Sequence, residues 1–240
     1  MIKLGVNIDH AATLRQVRGG TTDYPNLLQL SKIVAASGGH QITIHLREDR
    51  RHIQLHDLET LSKSCPLPLN LEMAATETMV KIAKRFKPSW CCFVPEKRQE
   101  LTTEGGLDVA KASLKIGKYV ERLQVIGIEN SMFIEPSLKQ VKASFEVGAD
   151  AVEFHTGKWV RLKGAAKDKE WARLVTAAEA CAKLGMRVHA GHGLDFSSAA
   201  KIRQLPHLAE VNIGHSLICY SLELGLAEAV REMNRRLAVK

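Results

Sequence analysis

Long apolar runs, cysteine pairs and aromatic side chains are all scarce in this 240-residue chain. No stretch approaches the roughly 20 consecutive apolar residues that span a bilayer. The amino terminus, MIKLGVNIDH, has neither the apolar run nor the small-residue cleavage site of a signal peptide. The expectation is a chain that is neither inserted in a membrane nor secreted. The five cysteines form no CxxC, and Cys91 and Cys92 are adjacent, which suits neither a disulfide framework nor a zinc ribbon. A reduced, cytoplasmic setting is expected. Proline-rich and glycine/serine-rich linkers, low-complexity tracts and long like-charge blocks are missing as well.

What is present is an ordinary globular composition, 45% hydrophobic and 25% charged, with one bias: 34 Lys and Arg against 26 Asp and Glu, a net +8. A basic balance suits nucleic acid, an anionic membrane surface or anionic small substrates. A merely solvated basic surface competes with all three. No RRM, KH or zinc-finger pattern supports nucleic-acid recognition.

Short β-branched or apolar runs recur at residues 3–7, 41–45, 69–72, 90–94, 131–135, 151–155, 186–190 and 210–213, each followed by a longer amphipathic stretch. Eight runs in 240 residues leave about thirty residues per unit, the size of one strand-plus-helix pair. Residues 26–37 place Leu27, Leu28, Leu30, Ile33 and Val34 near the helical period. Helices are likewise predicted over 77–86, 137–147, 169–184 and 222–237. Strict alternation argues for an all-parallel sheet. Eight units predict an α/β fold, a closed (β/α)₈ TIM barrel forming a single domain over residues 1–240. An open doubly wound sheet competes, but no glycine-rich fingerprint follows the first run.

The reactive side chains fall at or just past the carboxyl ends of these runs: Asn7, Asp9 and His10; His45 and Arg47; Glu72; Glu96 and Lys97; Glu135; Glu153 and His155; His192; His215. In a barrel those ends meet on one face, where active sites are built. Packing alone gives no reason for His and Glu to converge there.

Within HLREDRRH, residues 45–52, Arg47, Arg50, Arg51 and His52 put four cations in six positions. The planar guanidinium fork makes this a candidate anion clamp, against a solvated loop balanced by Glu48 and Asp49. AGHG (190–193) and NIGH (212–215) are glycine turns leading into predicted helices, the place where barrels bind phosphate. Glu72 in NLEMA and Glu153 in VEFH point into the barrel mouth, where desolvation raises a carboxyl towards general-base use. Pairing with a nearby Arg is the plainer reading of each. His10, His45, His192 and His215 come from neighbouring strands and suit proton transfer. No HxH or HExxH occurs, and the two histidines of HAGH stand three apart on opposite strand faces, so no metal is expected. His40, His56 and His207 read as surface histidines. PEKRQELTTEGG (95–106) reads as a lid over the mouth. No lysine ends an interior strand, which disfavours a Schiff-base aldolase.

GVNIDHAATLRQVRG, ITIHLREDRRHI, NLEMAATETM, CCFVPEKRQELTTEGGLD, VEFHTG, AGHGL and NIGH stand in the order and spacing of the pyridoxine 5′-phosphate synthases, which the chain resembles from Leu4 to its final helix. The resemblance implies a TIM barrel with extra short helices, assembled as a homo-octamer (a tetramer of dimers), with no metal and no organic cofactor. It implies one reaction, the last step of vitamin B6 ring construction. There 3-amino-2-oxopropyl phosphate condenses with 1-deoxy-D-xylulose 5-phosphate to give pyridoxine 5′-phosphate, inorganic phosphate and water. By motif position, His45 and Glu72 look like proton acceptors, His192 like the proton donor and Glu153 like the stabiliser of a charged transition state. Asn7, Arg18, Gly193, Gly214 and His215 are the positions expected to hold the aminooxopropyl phosphate. Asp9, His10, Arg47, His52 and Thr102 are those expected to hold the deoxyxylulose phosphate. The chain departs from the family pattern at His189, where Asn is expected, and at Cys219 and Tyr220.

Overall fold

Strands β1 (Lys3–Asn7), β2 (Gln41–His45), β3 (Leu69–Ala74), β4 (Trp90–Val94), β5 (Glu129–Ile134), β6 (Ala151–His155), β7 (Arg187–Gly191) and β8 (Leu208–Ile213) pair in parallel and in chain order. β8 returns to β1, so the sheet closes and has no edge. This is the architecture of a computed structural model that describes residues 1–96 and 105–238. Helices α1 (Asp9–Gln16) and α2 (Leu27–Ala36) follow β1, then α3 (Leu55–Ser64), α4 (Glu77–Phe86), α5 (Ser113–Gln124) and α6 (Leu138–Glu146) follow β2 to β5 in turn. The short α7 (Gly157–Arg161) and long α8 (Gly164–Lys183) follow β6, α9 (Ala199–Ile202) follows β7, and α10 (His215–Leu224) and α11 (Leu226–Leu237) close the chain.

Local chemistry sets several of these boundaries. Asn26 caps α2 by accepting from the Gln29 amide at 3.0 Å, and Thr76 caps α4 by accepting from the Met79 amide. The predicted helix over 222–237 is two helices, broken at Gly225 with φ +75°, a conformation glycine adopts without Cβ strain. α8 starts earlier than predicted, and β3 continues two residues past Glu72, whose strand then pairs Ala74 with Val94. β5 spans Glu129–Ile134, so Glu135 lies just beyond it, and β7 spans Arg187–Gly191.

The strands alternate more strongly than their apolar appearance implies. One set of side chains, including Leu4, Val6, Ile42, Ile44, Leu71 and Phe154, packs against the helices in the main buried core. The alternate set faces the barrel interior and is largely polar. Thr43 donates to Asn212 at 3.1 Å, Gln41 donates to Glu210 at 2.8 Å, and Asn70 donates to Thr43 at 3.4 Å. Cys92, Val94 and Phe133 form a separate small apolar cluster. Buried polar groups need internal partners, and these cross-barrel bonds supply several of them, while Asn70 Oδ1 has none among the described residues. His40 is also half-buried rather than a surface histidine, because its Nδ1 accepts from the Leu4 amide at 3.1 Å.

Candidate active site

The carboxyl ends of the strands open into a cavity of about 920 Å³. The four expected catalytic residues, His45, Glu72 and His192 for proton transfer and Glu153 for charge stabilisation, all line it. So do Asn7, Asp9, His10, Arg47 and His52, and the turn residues Gly193, Gly214 and His215. One expected residue, Arg18, is not brought to this wall. Arg18 is exposed in the turn after α1, and Thr102 lies outside the described residues, as does most of the predicted lid.

Asp9 joins the first two strand ends. Its Oδ1 accepts from the His45 amide at 2.9 Å and its Oδ2 accepts from Asn7 Nδ2 at 3.0 Å. His45 Nδ1 lies 3.9 Å from Glu72 Oε2, and its Nε2 lies 3.3 Å from Glu96 Oε1. Glu96 also accepts from the Glu48 amide, linking the loops after β2 and β4. Burial pulls the Glu96 carboxyl upward, but His45, the Glu48 amide and Arg47 outweigh it and hold it below the usual range.

The carboxylates on the cavity floor behave oppositely. Burial, reinforced by the charges of Asp9 and Glu153, pushes Glu72 well above the usual carboxylate range. Burial pushes Glu153 up to about 8, although the Asn212 amide opposes the shift. Glu153 reaches Asn212 only because Gly191 separates them without a side chain: a Cβ at Gly191 would lie 2.0 Å from Glu153 Oε1. Burial likewise depresses the imidazoles of His10 and His52, and takes His192 down to about 4 with help from the charges of His155 and Arg161.

Two ends of the cavity suit anions. At one, α10 begins with no side chain capping it, so its dipole and free amides face the space lined by Gly214, His215 and Ser216. His192 and Gly193, with φ +69° and +77°, turn the β7 loop alongside, and His10 meets His215 edge to face at 5.0 Å between ring centroids. At the other, Arg47, Arg51 and His52 line the wall. The fourth cation of that loop does not join them. Arg50 adopts φ +55° and donates back to the carbonyls of Leu46 and Arg47.

Arg15 and Asp57, which the motifs did not single out, brace this end. Their buried bidentate pair, 2.7 and 2.6 Å, ties α1 to α3, while Gln16 donates to the His52 carbonyl at 3.3 Å. Asn212 opens the NIGH motif but carries no role of its own in the sequence; its signal is the two-residue spacing from Gly214 along an alternating strand.

The chain matches the family described as pyridoxal phosphate biosynthesis protein PdxJ over residues 4–239. It is 68% identical over 234 residues to a pyridoxine 5′-phosphate synthase of Bdellovibrio bacteriovorus, covering 98% of this chain and 97% of that one. It is 46% identical over 239 residues to that of Coxiella burnetii, covering 99% of each. The fold resembles KGPDC from Streptococcus mutans with a TM-score of 0.68 over 99% of this chain and 97% of that one, at 12% identity, a likeness of fold alone. Coverage from the first strand to the last helix, at such identity, leaves no part of the barrel unmatched: the chain belongs to the PdxJ family, the pyridoxine 5′-phosphate synthases, enzymes of vitamin B6 biosynthesis.

Proposed function

We propose that the cavity condenses 3-amino-2-oxopropyl phosphate with 1-deoxy-D-xylulose 5-phosphate to give pyridoxine 5′-phosphate, inorganic phosphate and water. The observation that carries this reading is one cavity with two cationic or amide-rich ends and a floor of carboxyls and imidazoles between them. Two phosphorylated substrates held at such ends present their reacting carbons to the floor, which turns a bimolecular encounter into a near-unimolecular one.

Amine addition to a ketone gives a carbinolamine, and its dehydration gives an imine. Each step moves protons, and ring closure moves more. Glu72, lifted by burial, is a stronger base than an exposed carboxylate when ionised, and His45 beside it takes the second acceptor role. Glu153, raised to about 8, is largely protonated near neutrality in the free enzyme. Development of positive charge on the imine nitrogen favours its ionisation, which is how it stabilises that charge. His192, held down at about 4, is neutral near pH 7 before substrate binds. A dianionic phosphate arriving beside it raises its affinity for a proton, so substrate binding itself arms the donor.

Asn7, Gly193, Gly214 and His215, on the α10 side, are assigned to the aminooxopropyl phosphate, and Arg18, off the cavity wall in the turn after α1, is assigned to it by motif position alone. Asp9, His10, Arg47, His52 and Thr102 are assigned to the deoxyxylulose phosphate. No helix among the described residues is long and apolar enough to cross a membrane. The five free thiols fit a reducing, cytoplasmic setting. Exposed Val17, Tyr24, Leu114 and Val125 suit burial in a homo-octamer, which light scattering on the purified protein tests. The reaction is tested by supplying both substrates and following pyridoxine 5′-phosphate and phosphate release. Absence of product from folded wild-type protein would remove the proposal.

A further inference from the structure

His192 sits where its ring and its backbone are both held by the end of β6. The Thr156 hydroxyl donates to the carbonyls of Gly191 at 2.8 Å and His192 at 2.7 Å. The His155 ring lies against the His192 ring, 5.1 Å between centroids at 51°. Phe133 packs edge-on against both, at 5.5 Å from His155 and 6.4 Å from His192. Gly157 completes the clasp, because a Cβ there would fall 2.7 Å from His192 Cδ2 and 2.8 Å from His155 Nε2. His192 needs such restraint, since a non-glycine residue at φ +69° is not held there by its own preference.

Behind His155 stands Glu135. Its Oε1 accepts from His155 Nδ1 at 2.8 Å and from the Gly106 amide at 3.2 Å. A carboxylate only accepts, so that bond places a proton on Nδ1. Nε2 is buried with no hydrogen-bond partner among the described residues. A phenyl ring would fill the same space without stranding a ring nitrogen, so stability alone does not account for an imidazole here. Neither Glu135 nor His155 lines the cavity.

We propose that Glu135 and His155 are positioning residues for His192: the carboxylate fixes the plane of His155, and His155 fixes the plane of the His192 ring. This rests on the reading of His192 as the proton donor. It also makes His155 one of the groups that set where His192 titrates. The others facing His192 are Arg161 from α7, His10 from α1 and His215 from α10, while Lys158 faces Glu135.

The test uses full-length His155→Gln, Glu135→Ala and Glu135→Gln, with His192→Ala as reference. Glu135 is partly exposed, so its variants fold even where a buried substitution at 155 does not. His155→Gln and Glu135→Ala are expected to lose kcat, by up to about a hundredfold for a misplaced catalytic group, with both KM values within about twofold. Glu135→Gln keeps an acceptor for Nδ1–H and is expected to restore most of the rate. The imidazole NMR titration of His192, which needs no substrate, is expected to move upward in His155→Gln. Wild-type kcat together with an unmoved His192 midpoint in His155→Gln and Glu135→Ala would overturn the proposal while leaving the overall reaction standing. Wild-type turnover by His192→Ala would overturn the donor reading and the positioning role together.

Discussion

Asn212 Nδ2 donates to Glu153 Oε2 at 2.8 Å across β7, through the gap left by Gly191. The bond joins two strands that are not sheet neighbours, and it fixes one oxygen of a carboxyl that burial holds protonated.

A pH signature follows from that carboxyl. Its value rises from the ordinary 4.5 to about 8 on folding. The folded protein therefore keeps a proton that the unfolded chain releases, and stability falls as pH rises through this window. Glu153→Gln removes the burden and keeps an acceptor for Asn212. Urea denaturation is expected to find it more stable than wild type at pH 8, by on the order of a few kcal/mol. The gain should vanish towards pH 4, while turnover is lost. A stability difference independent of pH would sink the assignment of Glu153 as a raised carboxyl.

Glu72→Gln and His192→Ala are expected to keep the fold and lose about 10²- to 10⁴-fold in kcat, the range for a positioned acid or base. Neither substitution empties a part of the main core. Near-normal steady-state rates from both, with unchanged circular dichroism, would discredit the proton-transfer roles.

The Arg15–Asp57 pair is buried, and removing one partner strands the other. Asp57→Ala is expected to cost about 3–5 kcal/mol and to raise the KM for deoxyxylulose phosphate, because α1 and the His52 loop lose their brace. Glu59→Ala, which breaks an exposed ion pair with Lys63, is the control and is expected within about 0.5 kcal/mol of wild type. Equal melting temperatures for the two variants would remove the bracing role.

Every proton-transfer group proposed is an imidazole or carboxyl of the chain itself. Turnover is accordingly expected to survive exhaustive dialysis against EDTA, measured by product release before and after. A loss that a divalent cation restores would require a different mechanism.

The barrel is legible in the sequence because its signal is local. Each strand run ends in reactive residues, and segments such as 26–37 and 77–86 carry the helical period behind the caps Asn26 and Thr76, so the order and number of the strands follow from the chain alone. The same rule placed His45, Glu72, Glu153 and His192 on one face. Residues that look alike in sequence were separated only by folding. Arg50 and Arg51 are adjacent cations, yet a left-handed backbone turns one into its own loop and leaves the other on the cavity wall. His155 and Glu135 were visible as strand-end residues, but their role depends on which ring lies beside them.

Sequence by itself thus determined the eight-unit barrel, the chemistry gathered at its mouth and the family. Tertiary structure decided which polar side chains fill the interior, which cation faces the cavity, and how far burial moves Glu72, Glu153 and His192 from their ordinary protonation. The physical reason is range. Periodicity, capping and turn chemistry act within a few residues, whereas desolvation and cross-barrel hydrogen bonds depend on groups such as Asn212 and Glu153, 59 positions apart, that only closure of the sheet brings together.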